Sequence, residues 1–177
     1  MAAQPTLFLD RDGVLNRSLL RRGLPHPPDT VEELEILPGV KEALERLRAA
    51  GYLLIVVTNQ PDLARGTQSR ERLETIHEAL RERLALDEIR VCPHDDADGC
   101  GCRKPLPGLL TEAAAQHGID LARSWMVGDR WRDIDAGHAA GCRTILIDYG
   151  YPERGPSRMP DYACRSLVEA ADWILRG

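Results

Sequence analysis

The sequence predicts an α/β protein built on one mostly parallel sheet with helices on both faces. Three observations carry that expectation. Short apolar runs recur along the chain, each bounded by turn residues. Segments of helical spacing stand between them, giving the alternating strand-helix order of parallel sheets. The apolar runs are near-continuous rather than alternating, as strands covered on both faces should be.

The elements follow in order. Thr6-Leu-Phe-Leu-Asp10 is a short apolar run ending in an acid and reads as a buried strand. Residues 17–37, with Pro25, Pro27 and Pro28, read as a long irregular loop. A helix is expected over 38–51, with Pro38 near its start and Gly51 just past its end. Tyr52 to Thr58 is the second strand. From Ser69 to Leu86, Leu73, Ile76, Leu80 and Leu84 recur at helical spacing. Glu88 to Cys92 is a third strand, followed by a loop rich in glycine and cysteine and a helix from about Pro107 to His117. Ser124 to Val127 is the fourth strand, Asp133 to Ala140 a helix, Arg143 to Asp148 the fifth strand, and Ser166 to Leu175 a closing helix. No repeat, low-complexity segment or linker interrupts the chain, so residues 1–177 are expected to form a single domain.

Composition narrows the function. Hydrophobic residues make up 43% of the chain, too many for disorder. No apolar run approaches the roughly 20 residues that span a bilayer. The first residues lack the basic and apolar regions of a signal peptide, so a cytoplasmic, soluble protein with no membrane partner is expected. The net charge of −5 argues against nucleic acid as the partner. Basic residues show a bias of their own: 21 of the 23 are arginine, and lysine stands only at 41 and 104.

In an open parallel sheet, ligands bind beyond the carboxyl ends of the strands. Here the first strand ends in Asp10 and runs on through Asp12, the second ends in Thr58-Asn59-Gln60, the third in Cys92, and the fourth runs into Gly128-Asp129. In Asp10-Arg-Asp12-Gly13, residues i and i+2 of an extended segment face one side. Two carboxylates near one spot call for a cation between them, and magnesium favours carboxylates with water and phosphate. A bare Asp-x-Asp is equally compatible with solvated loop acids. Asp129 could add a third carboxylate, whereas Asp133 suits a helix first turn as well as a metal's water shell, and Asp135 suits the helix first turn. Thr58 and Asn59 offer a hydroxyl, an amide and free backbone N–H groups to phosphate oxygens, or an ordinary turn. Lys104 is a compact point charge in a chain that otherwise prefers the guanidinium fork.

Asp10-Arg-Asp12-Gly, Thr58-Asn59-Gln60, Arg103-Lys104-Pro105 and Gly128-Asp129 with Asp133 stand in the order of the four motifs of the haloacid dehalogenase (HAD) superfamily. The chain resembles its histidinol-phosphatase-like subgroup. That resemblance implies a HAD-like, Rossmann-like phosphatase fold, with about 180 residues leaving no room for a separate cap domain. It implies Asp10 as nucleophile and magnesium ligand. Asp12 becomes general acid and base, binding the metal through its backbone carbonyl. Thr58 and Lys104 would hold the phosphoryl group, and Asp129 the magnesium. Arg103 would recognise substrate, with Asn59, Arg65 and Arg130 as helpers. The implied partner is a small phosphorylated sugar acted on by a monomer, most simply the C7 phosphate of a heptose 1,7-bisphosphate. Histidinol phosphate is the alternative, favoured by Arg130 and by a short cysteine loop. An inactive zinc-stabilised binding protein is the remote one. Substrate choice is expected to lie in residues 17–30, 61–67 and 92–103.

The remaining motif is Cys92-Pro-His94, five residues, Cys100-Gly-Cys102. Three thiolates and one imidazole make a closed tetrahedral zinc set of the structural kind. Such a zinc would brace the loop that leads into Arg103 and Lys104. Asp95, Asp96 and Asp98 are expected to be solvated loop acids, and Cys142 and Cys164 small core or surface residues.

Overall fold

The computed structural model describes residues 3–177. Its sheet has six strands, all parallel: β1 (Thr6–Leu9), β4 (Leu53–Asn59), β5 (Glu88–Cys92), β6 (Trp125–Gly128), β7 (Arg143–Ile147) and β8 (Tyr162–Cys164). Their spatial order is β5-β4-β1-β6-β7-β8. The remaining two strands, β2 (Leu19–Arg21) and β3 (Leu24–His26), form a separate antiparallel hairpin.

The central strands are buried on both faces because their side chains alternate between two cores. Leu7, Leu9, Leu54, Val56, Trp125 and Val127 face one apolar cluster, closed by α1 (Val40–Ala49), α3 (Arg70–Arg83) and α6 (Leu167–Leu175). Phe8, Ile55, Val57 and Met126 face the other, closed by α4 (Gly108–His117). On this second side α5 (Trp131–Ala140) lies so close to the sheet at Gly137 that a Cβ there would meet Met126 and Thr144. Side-chain caps begin two of the helices: Ser69 Oγ accepts from Arg72 N at 3.2 Å, and Ser166 Oγ from Glu169 N at 3.2 Å.

Three elements differ from the sequence reading. The expected loop at 17–37 contains the β2–β3 hairpin, whose strands of three residues are too short to show periodicity. The sheet gains β8, three residues pairing in parallel with Ile145 to Ile147. A single turn, α2 (Asp62–Arg65), follows the second strand. Helix α5 also begins at Trp131, two residues earlier than expected. Of the core and surface places left open for Cys142 and Cys164, both take the core. No helix among the described residues is long and apolar enough to cross a membrane.

Candidate active site

Register sets the site. Leu9 pairs with Val56 on one side and Val127 on the other, so β1, β4 and β6 end at one edge. Asn59 pairs with Cys92, which brings the cysteine loop to the same edge.

Asp10 leaves β1 with its N–H donating to Val127 O at 2.9 Å. Its carboxylate accepts from Lys104 Nζ at 2.9 Å. The same ammonium donates to Asp133 Oδ1 at 2.6 Å and to Val57 O at 2.7 Å. Lys104 is buried, yet the charges of Asp10 and Asp133 outweigh that burial and hold the ammonium firmly charged. Asn59 aims it: its carboxamide donates to Lys104 O at 3.0 Å and accepts from Lys104 N at 3.1 Å.

One carboxylate oxygen each from Asp10, Asp129 and Asp133 lies within 4.8 Å of the others. Burial, then the charge of Asp133, pushes the Asp10 carboxyl up to about 6 against the pull of Lys104. Burial and the charges of Asp10 and Asp133 push Asp129 well above the usual carboxylate range. Oδ1 of Asp129 is buried with no hydrogen-bond partner. A buried orphan oxygen among crowded carboxylates fits a hard divalent cation such as magnesium. Two glycines make the crowding possible. A Cβ at Gly13 would run into the Asp129 carboxyl, and Gly13 also holds φ +83. A Cβ at Gly128 would run into the carboxyl of Asp133.

Asp12 stands at the edge of this cluster and is held by side chains the sequence reading did not single out. Arg11 Nε and Nη2 donate to Asp12 Oδ1 at 3.1 and 3.0 Å, Asn16 Nδ2 donates to Oδ1 at 3.0 Å, and Gln60 Nε2 donates to Oδ2 at 3.1 Å. Arg11 is fully buried, and its Nη1 lies 3.0 Å from Nε2 of His77 on α3. Burial and the Arg11 charge push His77 down to about 4, so the imidazole stays neutral and accepts. Thr58 is buried at the end of β4, its Oγ1 accepting from Gln60 Nε2 at 2.9 Å. Arg11, Asn16 and Gln60 lie inside motifs already noted. His77, one turn after Leu73 on the apolar face of its helix, had a signal in its spacing.

A cleft opens over the cluster, lined by Leu24 to Pro27 of the hairpin, by Asn59 and Asp62, and by four arginines. Each arginine is tethered to an acid. Arg65 Nε pairs with Asp95 at 2.6 Å, Arg103 Nε with Asp96 at 2.8 Å, and Arg132 Nη1 with Asp96 at 3.1 Å. Arg130 Nε pairs with Glu153 at 3.0 Å. The structure thus brings Arg65, Arg103 and Arg130 together and adds Arg132. Asp95 and Asp96 are loop acids, Asp96 exposed as expected, and each also holds an arginine. Arg65 and the Asp96 N–H hold the Asp95 carboxyl down to about 2.

Cys92, His94, Cys100 and Cys102 form a second cluster, each offering a ligand atom within 4.8 Å of the rest. Cys92 Sγ lies 3.7 Å from Cys100 Sγ and 3.6 Å from His94 Nδ1, and Cys102 Sγ lies 3.4 Å from that nitrogen. Four soft donors around one point fit a tetrahedral zinc ion.

Comparison with known proteins agrees with this geometry. The family model described as HAD-hydrolase-like matches residues 101–170. A D-glycero-D-manno-heptose-1,7-bisphosphate 7-phosphatase of Thermosynechococcus vestitus is 37% identical, over 97% of this chain and 95% of its own. The D-glycero-beta-D-manno-heptose-1,7-bisphosphate 7-phosphatase of Bordetella bronchiseptica is 36% identical, over 96% and 97%. A crystal structure of the D,D-heptose 1,7-bisphosphate phosphatase from B. bronchiseptica, complexed with magnesium and phosphate, superposes with a TM-score of 0.79 at 34% identity, covering 97% of this chain and 98% of that one.

Proposed function

The chain belongs to the HAD-like hydrolases, and from that premise we propose that it is a magnesium-dependent phosphomonoesterase removing the 7-phosphate of a heptose 1,7-bisphosphate. The observation that carries the chemistry is the convergence of Asp10, Lys104 and Asp129 beyond adjoining strand ends. The observation that supports the substrate is the set of relatives at 36–37% identity over nearly the whole chain. The arginine rim of Arg65, Arg103, Arg130 and Arg132 suits the second phosphate of a bisphosphate.

A carboxylate oxygen of Asp10 attacks phosphorus. The new Asp10–phosphorus bond forms as the bond to the sugar oxygen breaks, and Asp12 gives that oxygen its proton. In the second half, Asp12 takes a proton from water, water oxygen attacks phosphorus, and the aspartyl-phosphate bond breaks. Charge spreads over the equatorial oxygens in both transition states, so positioning and electrostatics supply most of the catalysis. Lys104 and Thr58 meet that charge, with Asn59 holding the lysine in place. Asp10, Asp129 and the backbone carbonyl of Asp12 would hold magnesium, which would supply positive charge to the phosphoryl oxygens.

Cys92, His94, Cys100 and Cys102 would hold a structural zinc ion, which would brace the turn from which Arg103 and Lys104 emerge. A cytoplasmic location goes with this reading, since the substrate is a small water-soluble ester.

The test is a panel of phosphate esters assayed with magnesium: heptose 1,7-bisphosphate, histidinol phosphate and an aryl phosphate. The heptose bisphosphate should have the highest kcat/KM. Preference for histidinol phosphate, the outcome Arg130 would favour, would overturn the substrate and leave the chemistry. No hydrolysis of any ester would overturn the chemistry.

A further inference from the structure

Residues 149–157 leave β7 and run back behind the metal carboxylates. Both ends of this strap are tied down. At its far end Ser157 N and Oγ each donate to Asp135 at 2.8 Å, and Arg154 pairs with Asp135 at 3.2 Å while lying 3.5 Å over the Trp131 ring. At its near end the rings of Tyr149 and Tyr151 stack with centroids 5.5 Å apart. Tyr149 Oη donates to Gly13 O at 2.8 Å, and Tyr151 Oη donates to Asp129 Oδ2 at 2.9 Å.

We propose that Tyr151 is a positioning residue for the metal site, pinning Oδ2 of Asp129 so that Oδ1 is presented to magnesium. The proposal rests on the reading of Asp129 as a magnesium ligand. Oδ1 is buried and has no other partner, so it is the oxygen left for the cation. A carboxylate with neither oxygen pinned can rotate or offer both oxygens at once. Magnesium demands near-ideal octahedral geometry at about 2.0–2.1 Å, so it is sensitive to that rotation. The stacked ring fixes where the hydroxyl sits, and the hydroxyl fixes the carboxylate. The strap thereby couples the chain beyond β7 to a residue just past the end of β6, and Asp135, beyond the first turn of α5, anchors the strap instead of serving the helix start.

Magnesium binding to the whole protein, measured by isothermal titration without substrate, tests this. Wild type, Tyr151→Phe and Asp129→Asn are compared, with thermal melting of each. Phe keeps the ring stack and removes only the hydroxyl, so melting should stay near wild type. The magnesium Kd of Tyr151→Phe should rise about 10- to 100-fold, and saturating magnesium should restore most of kcat. Asp129→Asn should lose binding. If Tyr151→Phe binds magnesium as wild type does while Asp129→Asn does not, the positioning role is overturned and the metal site stands. If Asp129→Asn binds as wild type, the metal reading beneath it has failed as well.

Discussion

Lys104 and Asp133, 29 residues apart in the chain, form a 2.6 Å ion pair in which both side chains are almost wholly buried. The pair decides what Asp133 does. By sequence it could equally have been a first-turn acid of α5, and it does accept from Arg130 N at 3.1 Å as such an acid would. Its other oxygen holds the lysine against Asp10. One carboxylate therefore starts the helix and locks the point charge beside Asp10.

Lys104→Arg should lose about 100-fold in kcat, with KM changing less. The ammonium donates to three oxygens at 2.6–2.9 Å in a space with almost no exposure. A planar guanidinium cannot take up all three, and a displacement of about 1 Å can cost on the order of 100-fold. Steady-state kinetics on the preferred substrate decide it, and a near-normal kcat would refute the need for a point charge.

Asp10→Asn should abolish turnover and leave the fold intact. An amide is no nucleophile towards phosphorus, yet its oxygen can still accept from Lys104. Phosphate release and thermal melting are measured together. Activity within about tenfold of wild type, a barrier change of only about 1.4 kcal/mol, would remove Asp10 from the nucleophile's role.

The purified protein should hold about one zinc per chain through exposure to a weak chelator, as tight structural sites do. Elemental analysis is the measurement. Cys100→Ser should lower the melting temperature more than it lowers kcat, because the cluster braces the loop and touches no reacting atom. A folded, active protein free of zinc would end this assignment.

His77 sets an acid limit on stability. Its folded value is pushed down to about 4, first by burial and then by Arg11, from an ordinary value of 6.5. The unfolded chain therefore binds a proton that the folded one refuses. Stability is lost as pH falls from about 6.5 towards 4, by up to about 3 kcal/mol. His77→Gln, which keeps an acceptor for Arg11, should lose correspondingly less over the same window. Urea unfolding of both proteins at pH 7 and pH 4.5 gives the comparison. Equal losses would show that His77 is not held neutral.

The strands and helices were legible because their signals are local. Leu7 to Leu9 and Leu54 to Val57 are apolar without interruption, and β1 and β4 were placed to within a residue or two. The four strand-end motifs and the cysteine cluster were legible for the same reason: their chemistry sits in residue type and short spacing. The β2–β3 hairpin and β8 escaped because three-residue strands carry too little pattern to stand out from a loop.

Sequence alone brought Asp10, Asp12 and Asp129 to one sheet edge, since a parallel sheet brings successive strand ends to the same side, while Lys104 joined them through the resemblance of its motif. Only the tertiary structure decided what stands behind them. Arg11 reaches His77 across 66 residues, Lys104 reaches Asp133 across 29, and Tyr151 reaches Asp129 across 22. Such pairings leave no mark in local composition. They exist because buried charges and orphaned carboxylate oxygens must find partners once water is excluded, and the fold alone determines which partners are within reach.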